Sequence, residues 1–475
     1  MELHAIKING WENPMGFDYG VPQCSWKVCG SAGSRQETAR ISVGLDKTLQ
    51  KVIFQKEGNL NSLGEPLDFP LKPYTRYWYT IAVRSDHGEE AVSQPCFFET
   101  GKLDDPWKGQ WLGVEDGDTH PEFQKTFSLP DKPCSARLYI CGLGLFEAYL
   151  NGEKAGNDLL APFLNDYTEH FQYCTYDVTS LLAQDNTLSV LLGDGWYRGH
   201  FGLGEPTHYE RPLALIAELR MEFADGHTET LCSDSGWQYR SSFTTLSDIY
   251  NGETQDYTRA PDDWKQPVLI PAPGRLCDRY SSPLHYMESI PVKEVIHTPL
   301  GETVLDFGQN FAGHVVCTQP IPKGTAMALE FGEVLQNGNF YHENYRHAES
   351  KFTYVSDGIS REIRPRFTFF GFRYVKVSGL ARVDAACFEG RAIYSEMDRP
   401  GFIRTGNEKI NRLFSNSLWG LKSNFLDIPT DCPQRDERLG WTGDAQVFST
   451  TAGFHMDTRA FYRKFLRDLR SDQRR

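Results

Sequence analysis

The densest collection of reactive side chains lies between Thr430 and Asp444. It holds the carboxylates Asp431, Asp436, Glu437 and Asp444, the arginines Arg435 and Arg438, and Trp441. Paired carboxylates do general acid–base work: one protonates a leaving oxygen while the other activates water or attacks the reacting carbon. An indole face beside them offers a surface for the apolar side of a sugar ring, and the acids meet hydroxyls and the glycosidic oxygen. The chemistry that fits is glycosidic bond hydrolysis; the competing reading is a solvated ion-pair cluster on a surface loop. Crowded like charges raise the pKa of at least one member, which keeps an acid protonated, whereas Arg435 and Arg438 hold other members ionised. Spacing alone leaves open which carboxyl plays which part.

The elements around this loop are helical. From about Gly401 the apolar period changes from two to 3.6, and Ile410, Leu413, Phe414, Leu418, Leu421 and Phe425 form one stripe between Asn407 and Phe425. Pro429 and Pro433 end that helix and hold the next residues in a loop. A shorter helix is expected from Thr442 or Gly443, and another after Asp457 with Phe461, Phe465 and Leu469 on one side.

Everything before Gly401 reads as strands. Over 1–101 the pattern is a β-sandwich, clearest where Tyr77, Tyr79, Ile81 and Val83 alternate onto one face. Over 102–290 many short strands fit a jelly-roll-like double sheet, with Asn151-Gly152 as a hairpin turn. Gly193, Gly195 and Gly199 lack the βαβ context of a dinucleotide site. Over 291–396 the β theme continues through the stretches 304–310 and 372–377. His342 and His347 lie near Glu333 and Glu343 at a spacing that matches no metal motif, so no metal is expected.

A chain of 475 residues has room for three or four domains. Its net charge of −14 opposes phosphate backbones and anionic lipid, so neither nucleic acid nor a membrane is an expected partner. The 11 cysteines show no CxxC spacing, with Cys24 and Cys29 the nearest to a pair. The N-terminal residues lack the basic segment and apolar run of a secretory signal, so a cytoplasmic location is expected.

The run from Asp431 to Gln446, DCPQRDERLGWTGDAQ, resembles the signature of bacterial α-L-rhamnosidases of glycoside hydrolase family 78. The domain order is similar too. It implies a fibronectin-III-like sandwich (1–101), a jelly-roll-like carbohydrate-binding-type domain (102–290), a further β-sandwich (291–396) and the start of an (α/α)6 catalytic barrel (397–475). The resemblance assigns Glu437 as general acid and Asp431, Arg435, Trp441 and Asp444 as rhamnose contacts. It implies inverting hydrolysis of terminal α-L-rhamnose from a rhamnoside, with a second glutamate as base and no organic cofactor. About 75 residues follow Gly401, whereas twelve helices need on the order of 300. The expectation is therefore an incomplete form without its base, the alternative being a non-catalytic carbohydrate-binding fragment. Rapid amide exchange is expected from Asn407 onward, where the apolar stripe lacks cover.

Overall fold

The computed structural model describes residues 1–115, 120–203, 205–206 and 212–474. It divides into two compact units, one of residues 1–108, 172–176 and 276–280, the other of 109–171, 177–275 and 281–475.

The first unit carries two antiparallel sheets. One pairs Glu2–Ile8, Gln23–Cys29 and Glu65–Pro66; the other is built on Gln36–Gly44 and Arg76–Ser85. The expected alternation along Arg76–Ser85 is realised, with Tyr77, Tyr79, Ile81 and Val83 all buried. Cys24 is buried and Cys29 exposed, and no disulfide joins these two.

In the second unit, two sheets form the jelly-roll-like part. One centres on Leu145–Leu150, Asp185–Gly193 and Pro121–Ser128, the other on Ser135–Leu143 and Ala214–Glu222. Asn151 and Gly152 turn the expected hairpin with φ of 55° and 85°, the left-handed pair that a two-residue turn between right-twisted strands requires.

A nine-stranded sheet follows. Its central strand, Thr303–Cys317, pairs with Phe370–Ser378 and Phe388–Ser395. Three of its strands, Thr244–Asp248, Gly252–Asp256 and Leu284–Pro291, come from before residue 291, so this sheet begins inside the stretch read as jelly-roll. Leu305, Phe311, Val315, Leu329, Phe331 and Phe372 make its core. Between Asp306 and Phe311 the register shifts in a bulge. Arg373 grips the Asp306 carboxylate with two hydrogen bonds of 2.8 Å, and Gly308 turns with a φ of 72°. The bulge carries Gln309 and Asn310, which line a cavity together with Glu333 and Gln434.

The helices are α1 (Glu408–Asn424), α2 (Thr442–His455) and α3 (Arg459–Asp472). Asn407 caps α1 by accepting from the Lys409 N–H at 3.0 Å. The C-terminal part of the expected stripe, Leu418, Leu421 and Phe425, joins the sheet's core, as do Ala452 and Phe461. Its N-terminal part does not: Ile410 and Leu413 are exposed, along with Val447, Phe454 and Leu466. No helix among the described residues is long and apolar enough to cross a membrane.

Candidate active site

The signature loop is closed on itself and fastened to the β sheet. The Asp431 N–H donates to the Leu439 carbonyl at 3.0 Å, and the Leu439 N–H donates back to Asp431 Oδ1 at 2.9 Å. Arg438 then turns inward with a φ of 49° and is buried. Its guanidinium donates to four main-chain carbonyls, those of Gln434 (2.9 Å), Arg435 (3.0 Å), Ile249 (2.8 Å) and Phe369 (2.9 Å). The rings of Tyr250 and Phe369 lie 5.0 and 4.9 Å from it. Arg438 thus does not hold a carboxylate ionised, as its position among acids led one to expect; its donors are used to anchor backbone. Tyr250 adds a further tie, donating its hydroxyl to the Glu437 carbonyl at 3.1 Å.

On this anchored loop four of the five expected site residues converge. Glu437 is the centre. Its Oε1 accepts from Trp441 Nε1 at 3.0 Å, its Oε2 accepts from Arg435 Nε at 3.0 Å, and Arg435 Nη2 completes an ion pair with Oε2 at 2.9 Å. Arg435 Nη2 also reaches Asp431 Oδ2 at 3.1 Å. Trp441 remains 46% exposed, so an indole face stays open beside the acid. Asp444 stands apart, exposed in the first turn of α2.

Two cavities open beside the loop, and Asp431 borders both. One, of about 530 Å³, runs between α1 and α2 past Asp444, Phe425, Val447 and Tyr462. The other, of about 390 Å³, is walled by Gln309, Asn310, Glu333, Trp419, Gln434 and Arg435.

Crowding among carboxylates does not dominate here. Burial tends to raise the Glu437 pKa, but the Trp441 and Arg435 hydrogen bonds and the charges of Arg435 and Arg346 outweigh it and hold the carboxyl below its ordinary value. This departs from the expectation of a like-charge cluster that keeps its acid protonated.

Several residues of the site come from the β domain and have no signal in sequence spacing. Arg346 Nη1 donates to Glu437 Oε2 at 3.1 Å. The His347 ring sits against Asp436 Oδ2 at 2.9 Å. Glu333 takes Asn310 Nδ2 at 2.7 Å and Gln434 Nε2 at 3.0 Å, so the bulge and the signature loop meet on one carboxylate. Of the two histidines noted in this stretch, His347 faces Asp436 on the loop, whereas the His342 ring packs edge-on against Phe340.

Among the described residues, one donor set has the proximity for a metal. Ligand atoms of Asp431, Cys432 and Glu437 lie within 4.8 Å of one another. Arg435 already bridges the two carboxylates, and burial pushes the Cys432 thiol up to about 12, so a metal here would have to displace both that cation and the thiol proton.

Comparison with known proteins follows the same order of domains. Residues 3–104 match a Rha78A-like N-terminal immunoglobulin domain, 131–283 an α-L-rhamnosidase N-terminal domain, 296–394 a bacterial α-L-rhamnosidase concanavalin-like domain, and 398–475 a bacterial α-L-rhamnosidase six-hairpin glycosidase domain. An α-L-rhamnosidase of Alteromonas sp. (strain LOR) is 32% identical over 99% of this chain and 55% of its own length. Another, of Streptomyces avermitilis, is 38% identical over 74% of this chain and 36% of its own length. Among solved structures, Streptomyces avermitilis α-L-rhamnosidase complexed with L-rhamnose superposes with a TM-score of 0.92 at 25% identity, over 99% of this chain and 65% of that one. The Aspergillus terreus enzyme gives 0.90 at 31% identity, over 99% and 58%. The chain spans about 55% of the length of the curated relatives that match it end to end. With four consecutive domains in the same order and the signature loop in place, the chain belongs to the bacterial α-L-rhamnosidase family.

Proposed function

We propose that this chain carries the acid half of an inverting α-L-rhamnosidase site. Glu437 is the general acid that protonates the glycosidic oxygen, and Asp431, Arg435, Trp441 and Asp444 hold the terminal rhamnose. The observation that carries this reading is the position of Glu437: both carboxylate oxygens are engaged by the side chains assigned to the sugar site, and the Trp441 face lies open next to them. Asp431 does not qualify as the partner base. An inverting pair stands roughly 6.5–9.5 Å apart to admit a water, whereas Asp431 and Glu437 present oxygens within 4.8 Å of each other. Asp431 is also committed to Arg435 and to the Leu439 N–H. It orients sugar hydroxyls and holds Arg435 in line. No residue of these 475 is assigned as the base, and the chain spans 55% of the length of the Alteromonas relative.

The substrate class that follows is a terminal α-L-rhamnoside, the apolar face of its ring and its methyl group on Trp441, its hydroxyls on Asp431, Arg435 and Asp444. The test is release of p-nitrophenol from its α-L-rhamnoside, by this chain and by one extended to the length of its relatives. Turnover in the longer chain should fall by about 10²–10⁴ in Glu437→Gln. A longer chain whose turnover is unaffected by Glu437→Gln contradicts the assignment. Saturable L-rhamnose binding by the 475-residue chain without turnover is the outcome expected of an acid half alone.

A further inference from the structure

A general acid must bear a proton on the oxygen that faces the leaving group. Here Glu437 Oε2 accepts N–H groups from two arginines, Arg435 and Arg346, an arrangement that favours the carboxylate. Arg435 lies two residues away on the same loop. Arg346 arrives from the β domain.

The segment that delivers Arg346 is fastened on both sides by contacts independent of Glu437. Tyr345 is fully buried and donates its hydroxyl to the Gly371 carbonyl at 2.5 Å. His347 is held on Asp436, and the Ser350 hydroxyl donates to the Gln434 carbonyl at 3.3 Å. Between these anchors Arg346 has φ 60° and ψ −112°, a backbone that glycine adopts freely and an arginine adopts only under constraint. A residue with a Cβ at such a position points to a need for its side chain rather than its backbone. Its side chain is nonetheless 45% exposed, so its contact with the carboxylate lies open to solvent on one side.

We infer that Arg346 is a positioning residue that clamps Glu437 Oε2 as a carboxylate while the site is empty, and that it leaves this oxygen before Glu437 can carry the proton it donates. An oxygen bearing a proton is a poor acceptor for two guanidinium donors, so protonation and the Arg346 contact exclude one another. The other groups facing this carboxyl are Arg435, the Trp441 indole, Asp431 and Cys432 on its own loop, and from the β domain the Tyr250 hydroxyl at its main-chain carbonyl. Of the two cations, Arg346 is the one whose removal leaves the Asp431–Arg435 arrangement of the sugar site intact.

This inference rests on Glu437 being the acid, but its test does not need turnover. The Trp441 indole N–H donates to Glu437 Oε1 and therefore reports its charge. The 475-residue chain carries 10 tryptophans, so the Trp441 indole signal in the ¹⁵N-tryptophan-labelled protein is assigned by its loss in Trp441→Phe. It is then followed against pH. Glu437→Gln should flatten the curve. Arg346→Ala should move the midpoint to higher pH by about half a unit or more, and Arg346→Lys should restore most of the difference. Arg346→Gly suits the left-handed backbone, so it should shift the midpoint equally without lowering the melting temperature. A role confined to holding the loop predicts the reverse, lost stability in Arg346→Ala with an unmoved titration. Coincident titration curves for the wild type, Arg346→Ala and Arg346→Gly overturn the inference. A shifted midpoint together with full turnover in Glu437→Gln would leave the clamp standing and remove the acid assignment instead.

Discussion

Two regions of the second unit are built on opposite terms. In the nine-stranded sheet, Leu305, Phe331, Phe352 and Phe372 are wholly or almost wholly buried, and the core is continuous. In the helical segment, one side of each helix joins that core while Leu413, Val447 and Phe454 stand 66%, 83% and 75% exposed. The signature loop belongs by sequence to the second region and by contact to the first. Arg438, Tyr250, Arg346 and Ser350 all tie it to the sheet or its loops. The lesson is that the β domain is part of the apparatus that shapes the acid's loop, and the helices contribute its two ends.

This contrast can be broken at several points. The largest effect is expected in the sheet: Phe372→Ala should cost about 3–5 kcal/mol, read as a lower denaturant midpoint for the second unit. Arg438→Met comes next. It strips four carbonyls of their donor and should cost about 2–3 kcal/mol, with the added signature that Glu437 loses its place and L-rhamnose binding falls even where the sheet stays folded. A pH effect follows from His314. Burial drives its pKa down to about 3, and the ring is held neutral between the Tyr286 hydroxyl at 2.8 Å and the Thr368 carbonyl at 2.7 Å. The unfolded chain takes up that proton near pH 6.5 and the folded one does not, so the contribution of His314 is present above pH 6.5 and is lost as pH falls towards 3. Thermal melts should show a shallower acid loss of stability over this window in His314→Gln than in the wild type. The smallest effect belongs to the helices: Val447→Ala should change stability by less than about 0.5 kcal/mol, and a larger loss would mean that this face is covered in solution.

Much of this was legible in the residue order because the signals are local. The alternation of Tyr77 to Val83 predicts a strand face within one element, Asn151-Gly152 predicts a turn from its own two residues, and Asn407 with Pro429 brackets α1 and its hairpin. The candidate acid and its companions were legible for the same reason, since Asp431, Arg435, Glu437 and Trp441 lie within three turns' length of chain. Arg346 was not. It is 91 residues from Glu437, and no spacing rule connects a loop of a β domain to a helical hairpin across a packed sheet. Nor was the inward course of Arg438: a cation among four carboxylates reads as an ion-pair partner until the buried carbonyls of Ile249 and Phe369 are seen to need it. The expected fast exchange from Asn407 onward is sharpened by the same contacts, because the loop within that segment is better held than the helices around it.

Amide hydrogen exchange by mass spectrometry across residues 400–474 tests this most directly. If the β domain holds the signature loop, the amides of Thr430, Asp431 and Leu439, hydrogen-bonded at 2.8, 3.0 and 2.9 Å, should exchange at rates close to those of the strand Phe370–Ser378. The exposed N-terminal half of α1 and the outer turns of α2 should exchange markedly faster, and Arg438→Met should bring the loop up to the helices' rate. A loop that exchanges as fast as the exposed helical turns in the wild-type chain contradicts the account.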